Sequence, residues 1–157
     1  MSQLGPTIGY SAANVQINVT NNLETASDCG PDLISRRILI VEDNLDSRLL
    51  LSKLLRLSGY DVITACDGDT GYDEASNNLP DLIVTDVNMP GSDGIAFVKR
   101  VRADSKLSGI PIMVVTAYGS SIAQQARFAG ADAALDKPFD FDRFLGAIRT
   151  LLTTAHA

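Results

Sequence analysis

From residue 36 onward the chain repeats one pattern five times: a short apolar, β-branched run followed by a helical stretch. The runs fall at 38–41, 60–65, 82–85, 110–115 and 131–135, and the helical stretches at 45–57, 69–77, 93–103 and 121–129, with the last opening near Asp140, a good N-cap. Strands alternating with helices predict a parallel sheet covered on both faces, an α/β fold. A strand buried on both faces reads as a continuous apolar run rather than an alternating one. Right-handed crossovers leave few topologies for five units. The flavodoxin-like order 2-1-3-4-5 places the three most apolar runs, the first, third and fourth, in the middle. Helical spacing predicts inward stripes of Leu50, Leu54 and Leu57 in the first helix, Ile95, Val98 and Val101 in the third, and Phe141, Leu145, Ile148 and Leu152 in the last. Gly59 stops the first helix.

Residues 1–35 differ in character. They are rich in Asn, Ser, Thr and Gly, and their only charges are Glu24, Asp28 and Asp32. Residues 15–20 alternate apolar and polar side chains, which fits a short strand, but a lone strand lacks a partner. The expectation is a disordered N-terminal extension, 1–35, before a domain spanning 36–157. With 157 residues there is room for one domain and no output domain, so a stand-alone module is expected.

Several function classes are disfavoured by composition. The net charge is −6, and the basic residues cluster only at Arg36–Arg37 and at Lys99, Arg100 and Arg102, so no nucleic-acid partner is expected. An acidic balance suits a protein that holds a cation. The single histidine, His156, lies at the very end, and the cysteines are Cys29 and Cys66. These cannot assemble a Cys/His zinc set or a His-based nucleophile triad. The cysteines read as free thiols in a reducing compartment. No apolar run is long enough to span a membrane and no signal-peptide pattern opens the chain, so a cytoplasmic protein is expected.

In open parallel sheets, ligands bind beyond the carboxyl ends of the strands. The first run ends in Glu42-Asp43, the third in Asp86, the fourth in Thr116 and the fifth in Asp136-Lys137. Adjacent strands lie about 4.8 Å apart, so these side chains can converge. Like charges near a surface repel by about 4 kcal/mol at about 4 Å, and a divalent cation removes that conflict. Mg²⁺ takes hard oxygens and needs only one or two carboxylates plus a phosphate oxygen. Lys137 can pair with Asp86 or a phosphoryl oxygen, and the Thr116 hydroxyl can donate to one. A carboxylate can attack phosphorus, and positioning with charge neutralisation supplies most of the catalysis. Each residue alone has a plainer reading: Asp43 or Asn44 as a helix cap, Asp86 as a turn residue, Thr116 as structural, Lys137 as a solvated charge. Their joint placement at one sheet edge argues for a site.

At these residues the chain resembles the receiver domain of two-component response regulators. The resemblance covers about 36–152 and rests on Val41-Glu42-Asp43, on the run from Asp86 through Val87-Asn88-Met89-Pro90-Gly91-Ser92-Asp93 to Gly94, on Val115-Thr116-Ala117 and on Lys137-Pro138-Phe139. It implies that Asp86 is the phospho-acceptor. Asp43, Asp86 and the backbone carbonyl of Asn88 would hold Mg²⁺, with Glu42 acting through water. Thr116 and Lys137 would contact the phosphoryl group, and the Lys137–Pro138 bond would be cis. The donor would be a phosphohistidine on a sensor histidine kinase or a histidine phosphotransfer protein. The domain would be a signalling switch rather than an enzyme, with slow self-dephosphorylation only. Its downstream protein contact would lie on the fourth helix, fifth strand and fifth helix, with Arg127, Phe128 and Asp132 as candidates, and the chain would be a monomer or a phosphorylation-dependent dimer.

One departure stands out. Receivers usually carry a Tyr or Phe three residues before the lysine, where this chain has Ala134. Tyr118, in the loop after Thr116, is a candidate to carry part of the signal and slow water attack, the plainer alternative being that it packs on the fourth helix. Ala134 also keeps open a non-phosphorylated pseudo-receiver. Two other rivals are weaker. An aspartyl phosphatase lacks its second acid in Asp86-Val87-Asn88, and a flavin or nucleotide binder lacks a Gly-rich phosphate loop.

Overall fold

The computed structural model describes residues 35–89 and 92–155. The expected extension, the possible strand at 15–20, Cys29, Pro90, Gly91 and His156 lie outside the described residues.

Five strands alternate with five helices: β1 (Arg37–Val41), α1 (Leu45–Leu57), β2 (Asp61–Ala65), α2 (Gly68–Asn78), β3 (Leu82–Asp86), α3 (Gly94–Ala103), β4 (Ile112–Thr116), α4 (Gly119–Ala129), β5 (Ala133–Asp136) and α5 (Phe141–Thr154). All pairings in the sheet are parallel, and the order is β2-β1-β3-β4-β5, as the sequence predicts. A two-residue antiparallel ribbon, Asn88–Met89 with Ser92–Asp93, follows β3.

Alternate residues of each strand point to opposite faces, so the apolar runs feed two cores. Leu39, Val41, Ile83 and Val114 pack with Ala75, Phe97, Val98, Val101 and Ala126 beneath α2, α3 and α4. Ile38, Ile40, Val84, Met113 and Val115 pack with Leu55, Phe144, Leu145, Ile148 and Leu152 beneath α1 and α5. The stripe expected of α5 is therefore inward, except that Phe141 is only partly buried. In α3, Phe97 is buried and Ile95 only partly so, because the inward stripe follows Phe97, Val98 and Val101.

The expectation for α1 is corrected. Leu50 and Leu57 are 58% and 76% exposed, and the buried positions are Ser52 and Leu55, with Leu51 packed against the same core. Leucines occur all around this helix, so spacing alone defines two overlapping stripes. The stripe through Leu51 and Leu55, one turn apart, is the one that meets the sheet. β4 begins two residues later than its apolar run, because Pro111 has no N–H to give the ladder. At Gly71 on α2, a Cβ would lie 2.9 Å from Val41 Cγ2, so the absence of a side chain lets the helix lie close on β1.

Asp132, a candidate partner contact, is committed to the fold. Its Oδ2 accepts from the Ile112 N–H and from the Arg102 guanidinium, both at 2.8 Å. Phe128 is 86% exposed and remains free to meet a partner. No helix among the described residues is long and apolar enough to cross a membrane.

Candidate functional site at the carboxyl edge of the sheet

The parallel sheet brings four strand ends to one edge. Glu42 and Asp43 follow β1, Asp86 ends β3, Thr116 ends β4 and Lys137 follows β5. Ligand oxygens of Glu42, Asp43 and Asp86 lie within 4.8 Å of one another. Lys137 Nζ donates to Asp86 Oδ2 at 3.0 Å and to Glu42 Oε2 at 3.3 Å. The expected convergence is therefore present, and the lysine faces the acids. The Lys137–Pro138 bond is cis, as expected.

The turn after β1 is fixed by a closed set of hydrogen bonds. The Asn44 N–H donates to Glu42 Oε1 at 3.1 Å, while Asn44 Oδ1 accepts from the Ser47 N–H at 2.9 Å and so caps α1. This gives Asn44 the cap role and leaves Asp43 free for the site. The Asn88 N–H donates to Asp86 Oδ1 at 3.0 Å, which orients the carboxylate from the loop side. Thr116 is fully buried, and its Oγ1 accepts from the Tyr118 N–H at 3.1 Å. The Tyr118 side chain is 67% exposed and stands at the start of α4. Ala134 pairs with Val114 in the sheet, so no aromatic ring is present there to follow a movement of Thr116.

Burial is the main cause that raises the Glu42 pKa above the ordinary carboxyl value. The Asn44 N–H and the Lys137 charge oppose it, and the neighbouring Asp86 adds to it. Burial also presses on the Lys137 ammonium, but the hydrogen bond and charge of Asp86, joined by Glu42, outweigh it and raise its pKa. One ammonium thus faces an excess of negative charge. The donor set is hard carboxylate oxygen, held close together without enough counter-charge, which fits a small divalent cation.

Two features escaped the sequence reading. Arg48, one turn into α1, reaches back so that its Nη1 donates to the Glu42 carbonyl at 2.6 Å, with the Asp43 carbonyl at 3.4 Å. Beside the site runs an open groove of about 490 Å³, lined by Leu50, Leu51, Leu54, Pro138, Phe139 and Phe141, with Lys137 at its edge. The density of leucine around α1 was the available signal for the groove. A helix with apolar residues on more than its core face has surface left for a second contact.

Residues 38–149 match the response regulator receiver domain. The chain belongs to this family. Among curated relatives, the DNA-binding dual master transcriptional regulator RpaA of Synechocystis is 39% identical over 74% of this chain and 48% of its own. Sporulation initiation phosphotransferase F of Bacillus subtilis is 32% identical over 76% of this chain and 96% of its own. Among solved structures, the chemotaxis response regulator CheY4 of Vibrio cholerae superimposes with a TM-score of 0.71 at 34% identity, covering 74% of this receiver and 98% of that chain. The receiver spans about half the length of the transcriptional regulators that it matches. The family places it in two-component signalling and implies exchange with histidine kinases or phosphotransfer proteins.

Proposed function

We propose that this receiver takes a phosphoryl group on Asp86 from a phosphohistidine and answers by changing its protein contacts. The observation that carries the reading is Lys137 Nζ at 3.0 Å from Asp86 Oδ2, beside an acidic cluster of hard oxygen ligands. Asp86 attacks phosphorus through a carboxylate oxygen. An O–P bond forms, the donor's N–P bond breaks, and the electron pair leaves on the imidazole nitrogen. Lys137 then exchanges its Asp86 partner for a phosphoryl oxygen, and the Thr116 hydroxyl turns from Tyr118 toward another.

Asp43 and Asp86, with the Asn88 carbonyl and with Glu42 beside them, would hold Mg²⁺. When bound, the ion neutralises charge on the carboxylates and phosphoryl oxygens. The chain's own contribution is to fix the acceptor oxygen, hold the ammonium against it and bury Thr116 within reach.

The groove along α1 and the segment after β5 gives the donor a place to dock, because its apolar wall leads directly to Lys137. The downstream contact is assigned to α4, β5 and α5, where Phe128 is exposed. Near-complete coverage of phosphotransferase F supports a receiver that works through partner binding. The site of action is cytoplasmic, and turnover of an external substrate is not part of the role.

Intact mass measurement after treatment with acetyl phosphate and Mg²⁺ tests the acceptor. The parent should gain one phosphoryl group and D86A none. A parent that stays unmodified while folded and loaded with Mg²⁺ would favour the pseudo-receiver, for which Ala134 is the specific observation.

A further inference from the structure

The β1–α1 turn carries two of the acids, and its backbone beyond Val41 has left the ladder with β3. One strand-like bond remains on the other side, from the Glu42 N–H to the Ala65 carbonyl at 3.0 Å. The Glu42 carbonyl points to no neighbouring strand, and the Arg48 guanidinium takes that place at 2.6 Å, with the Asp43 carbonyl also in reach at 3.4 Å. The Arg48 N–H in turn donates to the Asn44 carbonyl at 3.0 Å. Backbone and side chain of one residue thus clamp the turn from the helix side. The Glu42 and Asn44 side chains clamp it from within. A guanidinium is suited to this role because it is planar, always charged and able to serve more than one acceptor from a fixed position.

We propose that Arg48 is a positioning residue that holds the main chain of Glu42 and Asp43 so that their carboxylates stand ready for the cation. The inference rests on the reading of the acidic cluster as a Mg²⁺ site. Two effects compete. A cation close to the turn lowers affinity for a second cation, whereas a fixed turn raises it by removing the cost of ordering the ligands. Arg48 is still partly open to solvent, and its guanidinium faces backbone carbonyl dipoles rather than the carboxylates, which keeps the repulsion modest. The ordering effect prevails. Residues that orient metal ligands change affinity by about 10- to 100-fold when removed. A brace acting through the backbone belongs at the lower end, about tenfold.

The test is a Mg²⁺ titration followed by amide NMR shifts on the parent, R48M and R48Q, with thermal melting of each protein without Mg²⁺. R48M keeps the apolar stem without the donors, and R48Q is neutral and too short to span the turn. The expected result is a Kd about tenfold weaker in both variants, while amide shifts away from the β1–α1 turn stay at the parent's positions. An unchanged or tighter Kd in either folded variant overturns the proposal. If neither variant folds, Arg48 serves the fold rather than the site, and the proposal also falls. A parent that binds no Mg²⁺ defeats the underlying reading of the site instead, so the two failures are distinguishable.

Discussion

Lys137 Nζ donates to Asp86 Oδ2 at 3.0 Å, although 51 residues separate the two in sequence. The same ammonium lies 3.3 Å from Glu42 Oε2. Two strand ends on opposite sides of β3–β4 are thus tied by one charge, and in the proposed function this ammonium would meet a phosphoryl oxygen on Asp86. Its side chain is 30% exposed against 11% for Asp86, so the pair is partly shielded from solvent and from salt screening.

K137A should leave Asp86 as the acceptor but slow its labelling. Loss of one preorganised charge donor at a reacting centre costs about a hundredfold in rate. The time course of mass gain with acetyl phosphate at fixed Mg²⁺ measures it. K137R should not restore the rate, because the planar fork cannot replace a compact ammonium at two separate carboxylates. A parental rate in K137A would remove the lysine from the chemistry.

Gly94 opens α3 directly behind Asp86. A Cβ at this position would lie 2.2 Å from the Asp86 carbonyl oxygen and 2.7 Å from Val87 Cα, and both are backbone atoms with little freedom to yield. The Gly94 N–H also donates to the Val87 carbonyl at 3.0 Å. G94A should therefore destabilise the domain by about 3 kcal/mol, the upper part of the range for overpacking. Urea unfolding measures the loss, and NMR should place the largest shifts in the loop after β3.

How much of this was legible beforehand depended on the kind of signal. Strand order and the clustering of Glu42, Asp43, Asp86, Thr116 and Lys137 followed from short apolar runs bounded by turn signals, four of the five leading into polar residues at the same sheet edge. The orientation of α1 was not legible, because Leu50, Leu51, Leu54, Leu55 and Leu57 satisfy more than one helical stripe and only tertiary packing chooses between them. The bonds of Asp132 were not legible either: only the folded chain reveals the Ile112 N–H and the Arg102 guanidinium that its carboxylate accepts from, while the side chain stays 46% exposed. Arg48 escaped because its partners are backbone carbonyls, which leave no mark in side-chain chemistry.

Tyr118 is 67% exposed, and its N–H donates to the Thr116 hydroxyl. If the ring shields the phosphoryl group from water, Y118A should shorten the half-life of the phosphorylated protein by roughly fivefold, equivalent to about 1 kcal/mol on the barrier. The decay of the added mass after removal of donor gives the half-life. An unchanged value would reject shielding by Tyr118.

If the donor docks in the groove beside Lys137, as proposed, docking and chemistry can be tested separately. Leu50 and Leu54 line it, and Leu50 is 58% exposed, so L50D and L54D should leave acetyl phosphate labelling close to the parent's rate. Transfer from a purified sensor kinase active on the parent should slow by about tenfold or more, since a charge placed in an apolar contact costs more than its truncation. Equal slowing with both donors would show damage to the site instead of loss of docking.

A clasp on the far side of the sheet should report on pH. The Tyr72 hydroxyl on α2 donates to Asp104 Oδ2 at 2.6 Å, and the Arg100 guanidinium lies 3.8 Å from the Tyr72 ring centre while pairing with Asp69 at 2.9 Å. The Tyr72 hydrogen bond, aided by the Lys106 N–H, holds the Asp104 carboxyl below its ordinary value of 3.8. The same bond, with burial, raises the Tyr72 phenol above its ordinary value of 10.0. A depressed carboxyl stabilises the fold above its unfolded pKa and loses that contribution as pH falls through the folded value. A raised phenol stabilises below its unfolded pKa and loses that contribution as pH rises through the folded value. The stability gap between the parent and Y72F should therefore be level between about pH 5 and 9 and close toward both extremes. Urea midpoints across that range measure the gap. A gap that widens in acid would mean that the hydrogen bond favours the protonated carboxyl, the opposite of the geometry seen here.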